Sequence, residues 1–294
     1  MMTLDAIDHI PDKAAREQVV LVPCSAGSTH QYKSLVERLG AFEPVAIDLC
    51  GHGNRKRWHG AGPLSLCEEA SAIGMACSWD APFHLIGHSY GGAVALRFAL
   101  TFPERLRSLT LYEPSCFHLL KTGDAGDARL LTEIRAVAEA VNRGVICGDY
   151  RAGMETFIDY WAGAGTWKRL GEDRKAEFAA LAVPVAHHFW SLIEEQTPLD
   201  AYAGVDVPTL ILCGDRSPGP SRAVTRLLAA ALPRARHRTL RDAGHMAPVT
   251  HAGQVNPLIL EHLSANSSRA EPRRAAPVAG RPIAERSSAE HWEM

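Results

Sequence analysis

Pro82-Phe83-His84-Leu85-Ile86-Gly87-His88-Ser89-Tyr90-Gly91-Gly92 is the stretch that decides how this chain folds. Residues 82–87 read as a short buried strand, and the small-residue run from Gly91 to Phe102, ended by Pro103, reads as a helix. Between them lies a Gly-x-Ser-x-Gly pattern from Gly87 to Gly91. A serine on a sharp strand-to-helix turn needs small neighbours so that backbone can pass close by, and its Oγ then projects at the sheet edge. The Tyr90 N–H, at the start of the helix, can face an oxyanion as it develops.

The same alternation continues on either side. Strands are expected at 18–23, 44–49, 106–112, 208–213 and 235–240, and helices at 30–40, 64–78, 219–231 and 251–263. Near-continuous apolar strands interleaved with amphipathic runs predict an α/β fold with a mostly parallel central sheet flanked by helices. Residues 115–203 interrupt this pattern with helical and aromatic-rich sequence. An excursion of about 85 residues between two strands is too long for a loop, so it is expected to form a helical cap over the sheet edge. The core is then residues 1–114 and 204–263. Residues 264–294, rich in Ser, Ala, Pro and Arg, are expected to be a disordered tail.

The composition narrows the possible partners. Lys and Arg number 31 against 33 Asp and Glu, a net charge of −2, which is too balanced to steer the chain toward nucleic acid or anionic lipid. The seven cysteines, at 24, 50, 67, 77, 116, 147 and 213, form no CxxC pair, which suits a reducing cytoplasm. The N-terminus carries no apolar signal core, and no apolar run approaches the roughly 18 residues of a membrane span. His187 and His188 have no second ligand at metal-like spacing, so no metal is expected.

Three elements in order resemble the α/β-hydrolase superfamily over about residues 17–263: the Gly87–Gly91 turn, Asp48-Leu49-Cys50-Gly51-His52-Gly53, and Ala243-Gly244-His245-Met246. The resemblance implies that fold, with Ser89 as nucleophile and His245 as its base. A serine at this position argues against haloalkane and epoxide chemistry, for which similar members use Asp. Where members commonly carry His-Gly after the first central strand, this chain has Pro23-Cys24, and position gives the second oxyanion N–H to Ser25 beside that of Tyr90. The family pattern puts the acid three residues after Gly214, but that residue is Ser217. Some branches place the acid at the end of the strand after the nucleophile helix, which here is Glu113. Glu113 is favoured because a carboxylate there otherwise needs a reason for burial. Asp215 is the alternative acid. Asp48 is expected to accept backbone N–H groups of the 51–53 turn.

Phe117, His118 and Trp190 are expected in the pocket wall, and Arg55-Lys56-Arg57 on a solvated loop. The whole reads as a carboxylesterase-like hydrolase of small ester or related acyl substrates, working through a Ser-His-acid triad and an acyl-enzyme without a cofactor. Carbon–carbon bond hydrolysis, perhydrolysis and a weakly hydrolytic ligand receptor are the alternatives on the same residues. The expected partner is a small-molecule acyl substrate, with no nucleic acid and no membrane, on a monomer or homodimer.

Overall fold

The structure, a computed structural model, describes residues 16–60 and 62–268. Six strands, β1 (Gln18–Val22), β2 (Glu43–Ala46), β3 (Phe83–His88), β4 (Leu106–Tyr112), β5 (Thr209–Gly214) and β6 (Ala235–Leu240), form one sheet in the order β2-β1-β3-β4-β5-β6. Every pairing is parallel. Eleven α-helices are described: α1 (Lys33–Val36), α2 (Leu66–Ala76), α3 (Tyr90–Thr101), α4 (Ala125–Ile146), α5 (Tyr150–Ala162), α6 (Thr166–Arg169), α7 (Glu172–Ala179), α8 (Ala182–Glu194), α9 (Gly219–Ala231), α10 (Ala247–Thr250) and α11 (Ala252–Ala265).

Strands buried on both faces favour apolar side chains, and β1, β3, β4 and β5 are mostly apolar, their buried polar members including His84 and Ser108, which bond to each other at 2.7 Å. Val20 and Val22 enter the larger core cluster on one face, while Val19 and Leu21 enter the cluster built on α11 on the other. The edges differ. β2 carries Glu43 and Pro44, and β6 exposes Arg236, His237 and Arg238, choices that discourage further strand pairing.

The sequence direction reverses between β1 and β3, so the crevice at their carboxyl ends is the topological switch point, where ligands bind in open parallel sheets. Between β4 and β5, helices α4 to α8 form an insertion in which α4 packs on α5 and α8. Asp124 and Asp149 cap the first two of these helices through their carboxylates.

Two expectations need adjustment. Asp48 accepts the N–H of Asn54 at 3.1 Å rather than those of the 51–53 turn, because Gly51 and His52 bond instead to Lys56 and Leu49 carbonyls. The first residues of the tail expected from Ser264 are ordered: α11 runs through Ala265, and the Ser268 N–H donates to Glu17 at 2.9 Å. Its remainder, 269–294, lies outside the described residues. No single described helix is long and apolar enough to cross a membrane.

Candidate active site

Ser89 joins β3 to α3 in a backbone conformation that favours glycine, φ 56° and ψ −118°. The turn closes because Gly87 and Gly91 have no side chains. A Cβ on Gly91 would run into the carbonyls of Val22 and Pro23, and one on Gly87 into the Gly91–Gly92 backbone. Ser89 occupies the N-cap of α3, yet its hydroxyl does not cap the helix as an N-cap serine ordinarily would. It lies 2.9 Å from His245 Nε2 and 3.1 Å from Ser115 Oγ.

His245 is fixed from several sides. Its Nδ1–H donates to Glu113 Oε2 at 2.7 Å, which leaves Nε2 free to accept from the serine. His88 Nε2–H donates to the His245 carbonyl at 2.9 Å, and Tyr112 Oη–H to that of Gly244 at 2.8 Å. The ends of β3 and β4 thus hold the loop that follows β6. The Trp161 ring lies 4.1 Å from the His245 ring, centre to centre, and covers it.

Glu113 is fully buried one residue past β4, and its φ of 44° turns the side chain toward this loop. Its second oxygen accepts the Gly214 N–H at 2.7 Å and the Ser217 hydroxyl at 2.5 Å. Burial alone pushes this carboxyl up, but His245, Ser217 and Gly214 together outweigh it and hold the group below the ordinary glutamate value. Backbone strain costs on the order of 1–3 kcal/mol per residue and persists where surroundings over-determine it. Of the four described non-glycine residues with positive φ, Ser89, Glu113 and Ala26 all lie at this site.

The α/β hydrolase fold family model matches residues 18–252. The chain belongs to the α/β-hydrolase family. Its relatives include a putative 2-succinyl-6-hydroxy-2,4-cyclohexadiene-1-carboxylate synthase of Bacillus subtilis, 27% identical over 85% of this chain and 92% of the relative. A pimeloyl-[acyl-carrier protein] methyl ester esterase of Neisseria meningitidis is 38% identical over a shorter stretch, 35% of this chain and 37% of that protein. Among solved structures, an α/β hydrolase from a Medee basin deep-sea metagenome superposes with a TM-score of 0.70 at 15% identity, covering 95% of each chain.

In this hydrolase the oxygen at His245 Nδ1 belongs to Glu113, whereas Asp215 is exposed beyond β5 and its N–H bonds to Leu240. The loop after β1 is a Cys24–Gly27 turn closed by a 3.0 Å Gly27 N–H to Cys24 carbonyl bond, with Ala26 at φ 56°. The Ala26 N–H donates to His52 Nε2 at 3.0 Å, so the Gly51-His52-Gly53 turn braces this loop. Ser25 Oγ lies 2.8 Å from His188 Nδ1, and the His188 ring is stacked between Tyr90 (3.7 Å) and His52 (5.0 Å). Burial, and after it the nearby His52, His187 and Arg55, push His188 well below the ordinary histidine value. Cys24, although adjacent to this loop, is no thiolate: burial pushes it up to about 12.

Two cavities meet at Ser89, and Ser25, Phe157 and Trp161 border both. Phe117 borders the smaller one. His118 and Trp190 border neither: His118 is buried beside Phe117 in a 3₁₀ turn, and Trp190 is 45% exposed. Of the 55–57 cluster, Arg55 is not free in solvent but pairs with the buried Glu69 at 2.5 Å. The sequence alone pointed to no role for His188, Ser115 or Ser217, and among the aromatics of 115–203 singled out neither Phe157 nor Trp161. The four-residue spacing of the last two on α5, which puts both on one helix face, is the signal that could have found them.

Proposed function

We propose that this hydrolase is a serine esterase of small acyl substrates that works through an acyl-enzyme. The reading is carried by the unbroken chain from Ser89 Oγ through His245 to Glu113, with bonds of 2.9 and 2.7 Å. Ser89 attacks the ester carbonyl while His245 Nε2 takes its proton, and the Glu113 carboxylate stabilises the imidazolium. The Ser25 and Tyr90 N–H groups receive the oxyanion, each such donor being worth about 100- to 1000-fold in rate. His245 then gives its proton to the leaving alcohol, and water releases the acid by the same steps. The helices of residues 115–203 act as a cap that encloses the substrate over the sheet edge. The seven cysteines, all free, fit a reducing compartment, and we place the enzyme in the cytoplasm on that ground.

The test is steady-state hydrolysis of short-chain p-nitrophenyl esters by wild type, Ser89→Ala, Glu113→Gln and Asp215→Asn, each shown to be folded by circular dichroism. Activity should vanish with Ser89→Ala, collapse with Glu113→Gln and survive Asp215→Asn. Wild-type turnover that persists in Ser89→Ala would overturn the reading.

A further inference from the structure

Resting on the serine hydrolase reading, the two cavities at Ser89 narrow the substrate class. The larger, of about 410 Å³, is bordered by His245, Met246 and Val249 and, from the insertion, by Ile158, Leu170 and Phe178. The smaller, of about 20 Å³, is bordered by Tyr90, Ser115, Phe117, Val185, Phe189 and Leu192. On this measure one water-sized group fills roughly 10–15 Å³, so the small cavity has room for one or two heavy atoms.

The two cavities share Ser89 but differ in which groups around it they touch. His245 borders only the large one, and it is His245 that must hand its proton to the leaving oxygen, so the alcohol portion lies there. Tyr90, whose N–H faces the oxyanion, and Ser115 border only the small one, so the acyl substituent points that way. We infer that the preferred substrates are esters of a short acyl group, of the acetyl or propionyl class, with a bulky apolar alcohol. In the first half-reaction the acyl C–O bond breaks as the Ser89 Oγ–C bond forms, and the departing alkoxide takes the proton that His245 removed from Ser89. Water, giving a proton to His245, then adds its oxygen to the acyl carbon, the Ser89 Oγ–C bond breaks to release the acid, and Ser89 Oγ takes that proton from His245.

The walls also differ in what they tolerate. Val185, Phe189 and Leu192 share one face of α8 and are packed in the core, as is Phe117. A longer acyl chain must displace side chains from a close-packed interior. The large cavity reaches the surface at Val249, which is half-exposed, and admits varied alcohols.

The isomers 2-phenylethyl acetate and methyl 3-phenylpropanoate test this on the wild-type enzyme, since they differ only in which side of the ester carries the bulk. We expect kcat/KM to favour the acetate by about 100-fold, the scale on which packed pockets discriminate. In a p-nitrophenyl ester series from acetate to octanoate, activity should fall steeply after propionate. Phe189→Ala, or Leu192→Ala if that variant does not fold, should move the optimum to longer acyl chains, whereas Phe178→Ala should leave the chain-length profile unchanged while slowing 2-phenylethyl acetate. Preference for methyl 3-phenylpropanoate, a flat chain-length profile, or no turnover of either isomer by an enzyme whose Ser89 is labelled by a small fluorophosphonate would each overturn the inference. Absence of that label, seen by mass spectrometry, would instead overturn the serine hydrolase reading beneath it.

Discussion

Ser89–His245–Glu113 and Ser25–His188–Glu69 are built from the same three residue types, and both serines border both cavities. In the first set the carboxylate is 2.7 Å from the histidine and the hydroxyl 2.9 Å from the other ring nitrogen. In the second the hydroxyl is 2.8 Å away but the carboxylate stands off at 3.8 Å, beyond hydrogen-bond reach. Glu69 is already committed to Arg55 and to the Cys50 N–H. Its charge favours a proton on His188 Nε2, so Ser25 donates its hydroxyl proton to Nδ1 and that hydrogen bond engages it. The second set therefore braces a loop, and the first can relay a proton. Residue type alone does not make a triad; one carboxylate oxygen must bond the imidazole directly, as Glu113 Oε2 does while its other oxygen takes the Gly214 and Ser217 donors.

The sharpest way to break the comparison is to neutralise each carboxylate. Glu113→Gln should lower kcat/KM on short p-nitrophenyl esters by about 1000- to 10,000-fold with little loss of fold. Glu69→Gln should lower stability by about 1–3 kcal/mol, because it strands Arg55, while changing activity per folded molecule less than tenfold. Thermal melts beside kinetics separate the two, and equal kinetic losses would show that both sets carry protons. A smaller effect should follow from His188→Gln, which unpins Ser25: a fall in kcat of about tenfold, bounded above by the loss of one oxyanion donor. An unchanged kcat would mean that the loop stands without this brace.

How much of this was legible from sequence divides along the same line. Ser89 and His245 were singled out through motifs that resemble the family's, with the acid left between Glu113 and Asp215, and each of these residues sits at a strand end or beside a glycine, where local sequence narrows direction. Side chains of the insertion could not be read this way, since one step along a helix turns the chain by about 100°. Phe189 enters the small cavity and its neighbour Trp190 faces outward. The same step separates Phe117 from His118. His188 was invisible for another reason: its partners, Ser25, His52 and Glu69, come from three distant segments.

Finer effects sharpen the comparison further. Ser217→Ala removes one of two donors to the distal Glu113 oxygen, and a hydrogen bond to a charged group is worth about 1.5–3 kcal/mol. The expected outcome is an upward shift in the acidic limb of the pH–rate profile with a modest loss of kcat. The smallest effect is on stability. Burial, and then His245, holds His88 well below the ordinary histidine value, as burial and its cationic neighbours hold His188. Both stay neutral when folded but take up protons when unfolded below about pH 6.5, so their contribution is complete above that pH and is lost as pH falls. Stability should decline by about 1.4 kcal/mol per pH unit for each histidine below pH 6.5. His188→Gln should make the slope shallower by up to about 1.4 kcal/mol per pH unit in melts at pH values from about 7.5 to 5.5, the other histidines held low, His52 and His84 among them, keeping the rest, and an unchanged slope would assign it elsewhere.

Glu113 and Ser217 meet at a single hydrogen bond although they belong to the ends of adjacent strands. The family pattern that this chain resembles expects an acid at position 217, and here that position instead donates to the acid at 113. Position 217 thus lies against the carboxylate that bonds His245, which makes it the place to ask whether the charge can be supplied from the neighbouring strand. The exchange Glu113→Ser with Ser217→Asp moves the charge there, and partial return of activity in the double variant over Glu113→Ser alone would show that it can.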